Sequence, residues 1–249
     1  MFIHELERNG QWLFRWRSYL PLILLPFALL AVATHQNYLA DSERWDFVYK
    51  LGCLVISLTG LMVRAVTLGY AQPGSSGRNT KQQIADHLNT DGPYSVCRHP
   101  LYLGNILMAL GVLLFTKSLL LAIAGTLAYI LFYERIMATE ERFLADKFGE
   151  TFQAWAKRVP LLLPRFSQWT APEYPFDPKP AIKGEFYGLT ATAASMFVLD
   201  TADRWFIEHR LAVHPFWFYF LIATGVLFLV LRHLRKHTKV FERSSVGMT

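Results

Sequence analysis

The chain has 249 residues, 53% of them hydrophobic and 15% aromatic, with a formal net charge of +6. The apolar residues occur in long uninterrupted blocks, which excludes an ordinary soluble domain, because a bilayer-spanning helix needs roughly 20 mostly apolar residues. The basic residues flank these blocks, so they indicate orientation in the bilayer and contact with anionic lipid rather than nucleic-acid binding. Only two cysteines occur, which argues against a disulfide framework.

Six apolar blocks predict membrane-spanning helices by their length and composition. They are Tyr19–His35, Phe47–Val66, Leu101–Thr116, Ser118–Met137, Phe186–Leu199 and Pro215–Leu231. The third and fourth blocks meet at Lys117, which predicts a tight helical hairpin. The fifth is diluted by threonine, serine and glycine and could be a shallow or re-entrant helix. The predicted fold class is all-α, a polytopic membrane helix bundle of about six transmembrane helices that forms a single domain over residues 1–249.

Lysine and arginine are concentrated in alternate loops, which predicts the orientation in the membrane. The basic residues before span one, between spans two and three, after span four and at the chain end are Arg8, Arg15, Arg17, Arg78, Lys81, Arg98, Arg142, Lys147, Lys157, Arg158, Arg165, Arg232, Arg235, Lys236, Lys239 and Arg243. The intervening loops are poor in basic residues. We therefore expect both termini and the loop with Arg98 in the cytoplasm. We expect no cleaved signal peptide, since charged residues precede a first block long enough to span.

The stretch DGPYSVCRHPLYLGN, residues 91–105, places charged residues directly against the third apolar block. A charge at membrane depth is costly and indicates a functional site by default. Pro100 favours an extended His99 and a helix start, so Tyr102 and Gly104 fall in the first turns, where backbone N–H groups favour anions. The alternative is a snorkelling Arg98, a helix-starting proline and a tyrosine of the aromatic belt.

Two further groups of polar residues lie in the second long cytoplasmic segment. Glu140 and Glu141 follow span four and could bind a cationic ligand, or could form a solvated face with nearby cations. The stretch KRVPLLLP, residues 157–164, could dip back into the membrane or form an amphipathic edge. Between these groups an apolar stripe at helical spacing predicts a helix lying at the membrane surface. Its residues are Leu144, Phe148, Phe152, Trp155 and Val159.

Taken together, these segments resemble a known family of integral membrane enzymes. Residues 91–105 are similar to a G-x-Y-x-x-x-R-H-P-x-Y-x-G motif, and EERFLADKFGETFQAWAKRVPLLLP, residues 140–164, to an E-E-x-x-L-x-x-x-F-G-x-x-Y-x-x-Y-x-x-x-V-P element. Both occur in the isoprenylcysteine carboxyl methyltransferase and phospholipid methyltransferase group, with a hydrophobic hairpin between them. The match covers residues 92–164, which we take as the methyltransferase core, with additional spans in residues 1–70 and 185–249. Phe152 and Trp155 stand where the family has tyrosines.

The resemblance implies methyl transfer from S-adenosylmethionine, bound in a pocket on the cytoplasmic side. Residues that match the motifs would bind this cofactor: Tyr94, His99, Tyr102, Gly104, Glu140 and Glu141. Arg98, Arg158 and Arg135 would grip an anionic acceptor, because a guanidinium pairs bidentately with carboxylate or phosphate. We expect no metal site. Methyl transfer needs alignment and a dry, shaped site more than acid–base chemistry.

The acceptor implied is lipophilic, and several remain open: an isoprenylcysteine carboxylate, or the carboxylate, phosphate or amine of a lipid head group. Residues 77–95 are similar to bacterial members that methylate lipid A phosphate, so we expect a multi-pass protein of a bacterial cytoplasmic membrane, in contact with membrane lipids and without nucleic acid. One alternative function is an NADPH-dependent reductase of the sterol-reductase type. Another is a small non-enzymatic transporter, for which Arg64 is the one obvious charge within a span.

Overall fold

The structure, a computed structural model, describes residues 23–34, 37–72, 85–238 and 240–241. Within these ranges the chain forms seven α-helices and no strand, which confirms the all-α class. They are α1 (Leu24–Ala33), α2 (Glu43–Tyr70), α3 (Pro93–Val96), α4 (Pro100–Phe115), α5 (Leu119–Ala156), α6 (Pro178–Glu208) and α7 (Pro215–His237), with 3₁₀ turns at Leu39–Asp41 and Phe166–Gln168.

Three of the described helices are long and apolar enough to cross a membrane: α2, α5 and α7. The helices α1 and α4 are apolar but shorter. The chain is therefore a helical membrane protein, while the count of six spans stays a prediction. The first predicted span, Tyr19–His35, lies partly outside the described residues, as do the basic residues of the N-terminus, of residues 73–84 and of residues 242–249.

The predicted hairpin is present between α4 and α5. Only Thr116, Lys117 and Ser118 separate the two helices, and Lys117 has a positive φ of 61°. The Ser118 side chain accepts a hydrogen bond from the backbone N–H of Leu121 at 3.3 Å, which caps the start of α5. The helix then continues to Ala156, far beyond the predicted span end at Met137, with a break at Gly149, where φ is 52° and ψ is −125°.

Glycines allow α2 and α4 to pack at close range. A Cβ on Gly60 would stand 2.4 Å from the carbonyl oxygen of Gly104, and one on Gly104 would stand 2.4 Å from Cγ of Arg64. A Cβ on Gly111 would stand 2.2 Å from Oγ of Ser57. Small residues let membrane helices bring their backbones together. The contact fixes the first turns of α4 against α2.

The predicted apolar stripe on the last part of α5 exists, and it is buried by protein. Phe152, Trp155 and Val159 form a buried cluster, and Tyr94 and Leu88 are among the residues packed against it. The segment before α4 covers this face, and the expectation that the helix lies at the membrane surface stays a prediction. The stripe therefore joins the two motif segments.

A second polar region, absent from the sequence interpretation, lies at the other end of α2. Lys50 is buried and contacts Asp46, Asp200 and Asp203 at 2.7–2.8 Å. Lys117 contacts Asp46 and Asp203 at 2.9 and 2.8 Å, and Arg204 contacts Asp200 at 3.2 Å. The sequence interpretation took Arg64 as the one obvious charge within a span. That reading is wrong, since Lys50 also falls within a predicted span.

Candidate active site

Side chains from the start of α4 meet two carboxylates in the middle of α5. His99 Nε2 lies 3.0 Å from Glu141 Oε1, and Arg98 Nη1 lies 3.3 Å from the same carboxylate. The Tyr102 hydroxyl donates a hydrogen bond to Glu140 Oε1 at 2.6 Å. His99 Nδ1 lies 3.8 Å from Glu140 Oε2. Residues that are about 40 positions apart in the chain thus form one cluster.

Helix geometry explains why these side chains converge. Because α5 continues to Ala156, Glu140 and Glu141 lie mid-helix. They are not at a helix C-terminus, where the helix dipole disfavours a carboxylate. Pro100 occupies the first position of α4, and His99 before it has φ −126° and ψ 60°, so it is neither helical nor fully extended as the sequence predicted. Tyr102 follows in the first helical turn.

The segment KRVPLLLP lies against the same residues. The backbone N–H groups of Arg98 and His99 donate to the carbonyls of Pro160 and Leu161 at 2.9 and 3.2 Å, and the N–H of Arg165 donates to Val96 at 2.9 Å. The indole N–H of Trp155 donates to the carbonyl of Tyr94 at 3.2 Å. These bonds satisfy backbone groups of the non-helical chain on both sides. They hold the segment KRVPLLLP beside the stretch that carries Arg98 and His99.

Aromatic rings of α4 and of the part of α5 before Glu140 pack together next to the carboxylates. The ring of Tyr102 is 4.8 Å from that of Tyr133, which is 5.2 Å from Tyr129. Tyr102 and Tyr133 belong to a buried cluster with Ile106, Ile136 and Met137. The cluster gives the site an apolar, aromatic wall on one side and charged groups on the other.

The candidate arginines occupy different environments. Arg98 is mostly buried, and its Nε is a buried atom without a hydrogen-bond partner among the described residues. Arg158 is exposed and lies two residues before Pro160, whose carbonyl binds the Arg98 N–H. Arg135 is exposed and makes no ion pair within the described part of the chain. The structure therefore brings Arg98 to the carboxylates, Arg158 to the neighbouring segment, and Arg135 to neither.

Gly104 packs so closely against α2 that a side chain would collide there. Its missing Cβ leaves room for Arg64 and Gly60 of α2, on the face of α4 turned away from Glu140. Its predicted contact with a cofactor stays a prediction. Burial raises the pKa of the Tyr94 hydroxyl, and the neighbouring Glu140 carboxylate raises it further. Tyr94 is therefore a neutral hydrogen-bonding group beside Glu140.

Comparisons with known proteins agree with this arrangement. The profile of the phospholipid methyltransferase family matches residues 47–151. The chain is 36% identical over 174 residues to the cobalt-zinc-cadmium resistance protein CzcN of Cupriavidus metallidurans, covering 67% of this chain and 77% of that protein. It is 29% identical over 118 residues to the protein-S-isoprenylcysteine O-methyltransferase of Schizosaccharomyces pombe, covering 47% of this chain and 50% of that enzyme. The chain belongs to the isoprenylcysteine carboxyl methyltransferase and phospholipid methyltransferase family.

A shorter match adds a third kind of relative. It is 44% identical over 73 residues to methanethiol S-methyltransferase 2 of Bradyrhizobium diazoefficiens, covering 29% of this chain and 27% of that enzyme. No solved structure matches the chain significantly. Two of these three relatives are named as methyltransferases with different acceptors, and the third is named for metal resistance.

The sequence interpretation named Arg64 as a charge within a span but did not predict its partners beside the candidate site. Arg64 of α2 donates through Nε and Nη2 to both carboxylate oxygens of Glu185 in α6, at 2.8 and 2.7 Å. Its Nη1 donates to Asn105 Oδ1 at 2.8 Å. The sequence signal for this group was a charged residue, Arg64, inside an apolar block. The bidentate pair joins α2 to α6, and the bond to Asn105 connects the same arginine to α4.

Cys97 lies inside the motif but is not a candidate nucleophile. Its thiol donates to the carbonyl of Leu162 at 3.2 Å, and the side chain is buried. Burial raises the pKa of the Cys97 thiol to about 11. The reactive thiolate is therefore scarce at neutral pH. The residue packs between the two motif segments.

Proposed function

We propose that this chain transfers a methyl group from S-adenosylmethionine to a lipophilic acceptor at the membrane. One observation carries the proposal: Arg98, His99 and Tyr102 contact Glu140 and Glu141. The structure brings these side chains together from separate segments, as a shared binding site requires. Family membership supports methyl transfer over the reductase and transporter alternatives.

The residues present suit the chemical groups of S-adenosylmethionine. Glu140 and Glu141 retain acceptor capacity, since a carboxylate has about four lone-pair sites, and can hold an amine or ribose hydroxyls. The partnerless Nε of Arg98 is a buried donor for an anionic group. The faces of Tyr102 and Tyr133 can stack on a base or lie against a sulfonium cation. Tyr94 and His99 add hydrogen-bonding groups beside Glu140 and Glu141.

The cofactor, when bound, supplies an activated methyl group on a sulfonium, and the chain's own residues provide alignment. The bond between Glu141 and His99 fixes the imidazole, and the bond between Tyr102 and Glu140 fixes the aromatic wall. Arg98 and Arg158 would orient an anionic acceptor from the side of residues 157–164. The buried tyrosine cluster excludes water from the bilayer side, which favours an in-line displacement. Arg135 would contribute only by approaching from its exposed position.

The acceptor is proposed to be a carboxylate or phosphate on a lipid-soluble molecule. The S. pombe relative is named for an isoprenylcysteine acceptor, which carries a carboxylate, and the guanidinium groups near the site suit that chemistry. A bacterial lipid phosphate, such as that of lipid A, carries a similar group. We place the site on the cytoplasmic side of a bacterial cytoplasmic membrane, from the distribution of lysine and arginine.

Cofactor binding is tested on purified protein in detergent. S-adenosylhomocysteine should raise the thermal unfolding temperature, and NADPH should not. Glu141→Ala should abolish the rise, because it removes the partner of both Arg98 and His99. The matched control is Glu150→Ala, an exposed glutamate further along α5, which should keep the rise. Stabilisation by NADPH alone would contradict the proposal.

The acceptor site is tested separately by single-turnover assays and lipid mass spectrometry. Arg158→Ala should leave S-adenosylhomocysteine binding intact and lower turnover. Arg135→Ala is the comparison variant, because Arg135 is also exposed but lies beside neither the carboxylates nor residues 157–164. Normal turnover by Arg158→Ala would remove that residue from the acceptor site. Lipids from cells with and without the chain, compared for one added methyl group, would identify the acceptor.

A further inference from the structure

The chain after the site carries apolar side chains that no described residue covers. Leu163 is 79% exposed, Phe166 is 74% exposed and Trp169 is 50% exposed. All three follow Pro160 within ten residues, and we call residues 160–169 the apolar loop. Clustered exposed apolar side chains mark a contact with a partner or a membrane. They stand apart from the lipid-facing sides of the long helices, because this part of the chain is not an α-helix.

The backbone of the apolar loop determines how deep it can lie. Apart from the short turn Phe166–Gln168, its residues are non-helical, and exposed non-helical backbone is not tolerated in the hydrocarbon region. Exposed apolar side chains on such a backbone suit the interface between head groups and acyl chains. Tryptophan is enriched at that depth, and the loop carries one exposed tryptophan, Trp169.

The charges around the loop favour an anionic surface. Lys157 precedes it and Arg165 lies within it, and both are exposed. Neither belongs to an ion pair within the described ranges. A basic residue near a membrane surface that contains anionic lipid is attracted to the head groups. Apolar side chains with flanking cations are the composition of an interfacial membrane contact.

The loop is bonded to the proposed active site at both ends. Pro160 and Leu161 accept from Arg98 and His99, and the N–H of Arg165 donates to Val96. The N–H of Thr170 donates to Ser95 Oγ at 3.0 Å. A loop held by these bonds moves together with the segment that carries Arg98 and His99.

We propose that the apolar loop inserts into the interface of an anionic bilayer on the side of the site. Leu163, Phe166 and Trp169 enter the boundary between head groups and acyl chains, and Lys157 and Arg165 contact lipid phosphates. This contact fixes the depth of Arg98 and His99 relative to a lipid acceptor. The proposed membrane contact does not depend on which acceptor is methylated.

Site-directed fluorescence in vesicles tests the insertion. The native cysteines, Cys53 and Cys97, are both buried, so a cysteine introduced at the surface can be labelled selectively. The variants are Leu163→Cys and Phe166→Cys, each carrying an environment-sensitive fluorophore. Gln153→Cys, at an exposed polar position of α5 outside the loop, is the matched control. The protein is reconstituted in vesicles of phosphatidylcholine with phosphatidylglycerol that contain a shallow nitroxide-labelled lipid.

The nitroxide should quench the labels at positions 163 and 166 several-fold more strongly than the label at 153. In the double variant Lys157→Gln/Arg165→Gln, or in phosphatidylcholine alone, quenching at 163 should fall toward the control. Equal quenching at all three positions would overturn the proposal. So would a blue-shifted but unquenched label at 163, which would mean that a protein surface covers the loop. Unchanged quenching in neutral vesicles would overturn the anionic preference. An unchanged unfolding temperature in detergent shows that each variant is folded.

Discussion

At the scale of single residues, the Tyr102 hydroxyl joins the two motif segments. Tyr102 lies in the first turn of α4 and Glu140 lies in the middle of α5. The Tyr102 hydroxyl donates a hydrogen bond to Glu140 at 2.6 Å. A hydrogen bond to an ionised group contributes about 1.5–3 kcal/mol, roughly twice a neutral one. The bond therefore fixes both the carboxylate and the aromatic ring that stacks near Tyr133.

Tyr102→Phe tests that bond. The ring stays and the hydroxyl is lost, so Glu140 loses one fixed partner. We expect the affinity for S-adenosylhomocysteine to fall by about tenfold, which corresponds to about 1.4 kcal/mol. Calorimetric titration of the purified protein measures the change. Tyr219→Phe, at an exposed tyrosine of α7, should bind normally, and equal affinities for the two variants would contradict the assignment of Tyr102 to the site.

The family resemblance, rather than residue spacing by itself, predicted that the two motif segments share one site. Arg98, His99 and Tyr102 were expected beside Glu140 and Glu141, and the structure places them in contact. The pairing of Arg64 with Glu185 could not be predicted. Its partners are separated by 121 positions, and no local pattern specifies which of many acidic residues a buried arginine meets.

At the scale of elements, the site depends on how α4 packs on α2. The Cβ that an alanine would add at Gly60 meets backbone atoms of Gly104 and Met108 at 2.4 and 2.7 Å. Backbone atoms cannot move aside as a side chain can. The first turns of α4, which carry Tyr102, would therefore have to shift away from α2.

Gly60→Ala should lower stability for this reason. Overpacking of a tight contact costs about 1–3 kcal/mol, and the shift of α4 should also weaken binding of S-adenosylhomocysteine. Gly52→Ala is the matched control on the same helix, since nothing lies within 4 Å of its added Cβ. Thermal unfolding in detergent, with and without ligand, measures both effects. A Gly60→Ala protein as stable as Gly52→Ala would mean that α2 and α4 do not pack this closely.

The elements show where hydropathy is a poor guide to helix boundaries. The fourth apolar block predicted an end at Met137, whereas α5 continues for nineteen further residues to Ala156. Apolar content marks where a helix can sit in lipid, and backbone hydrogen bonds continue wherever the following residues allow a helix. The polar continuation is what carries Glu140 and Glu141 and then the buried stripe of Phe152, Trp155 and Val159.

At the scale of the whole molecule, polar contacts hold the bundle at both ends of α2. Arg64 and Glu185 join α2 to α6 beside the site. At the other end, Lys50 joins Asp46 of its own helix to Asp200 and Asp203 of α6. The charges in this second cluster offset one another, as burial requires. Composition could not predict the cluster, because its members lie at the ends of apolar blocks, where isolated charges are ordinary.

Lys50→Met measures what the second cluster contributes. Removing one partner of a buried pair leaves uncompensated charge and costs about 3–5 kcal/mol, so the unfolding temperature in detergent should fall markedly. Arg210→Met breaks the ion pair of an exposed arginine with Glu208 and should change stability little. The double variant Lys50→Met/Asp200→Asn should recover part of the loss, since without Lys50 three buried carboxylates face only Lys117 and Arg204, and this variant removes one of the three. If Lys50→Met is as stable as Arg210→Met, the buried cluster does not hold α2 and α6 together.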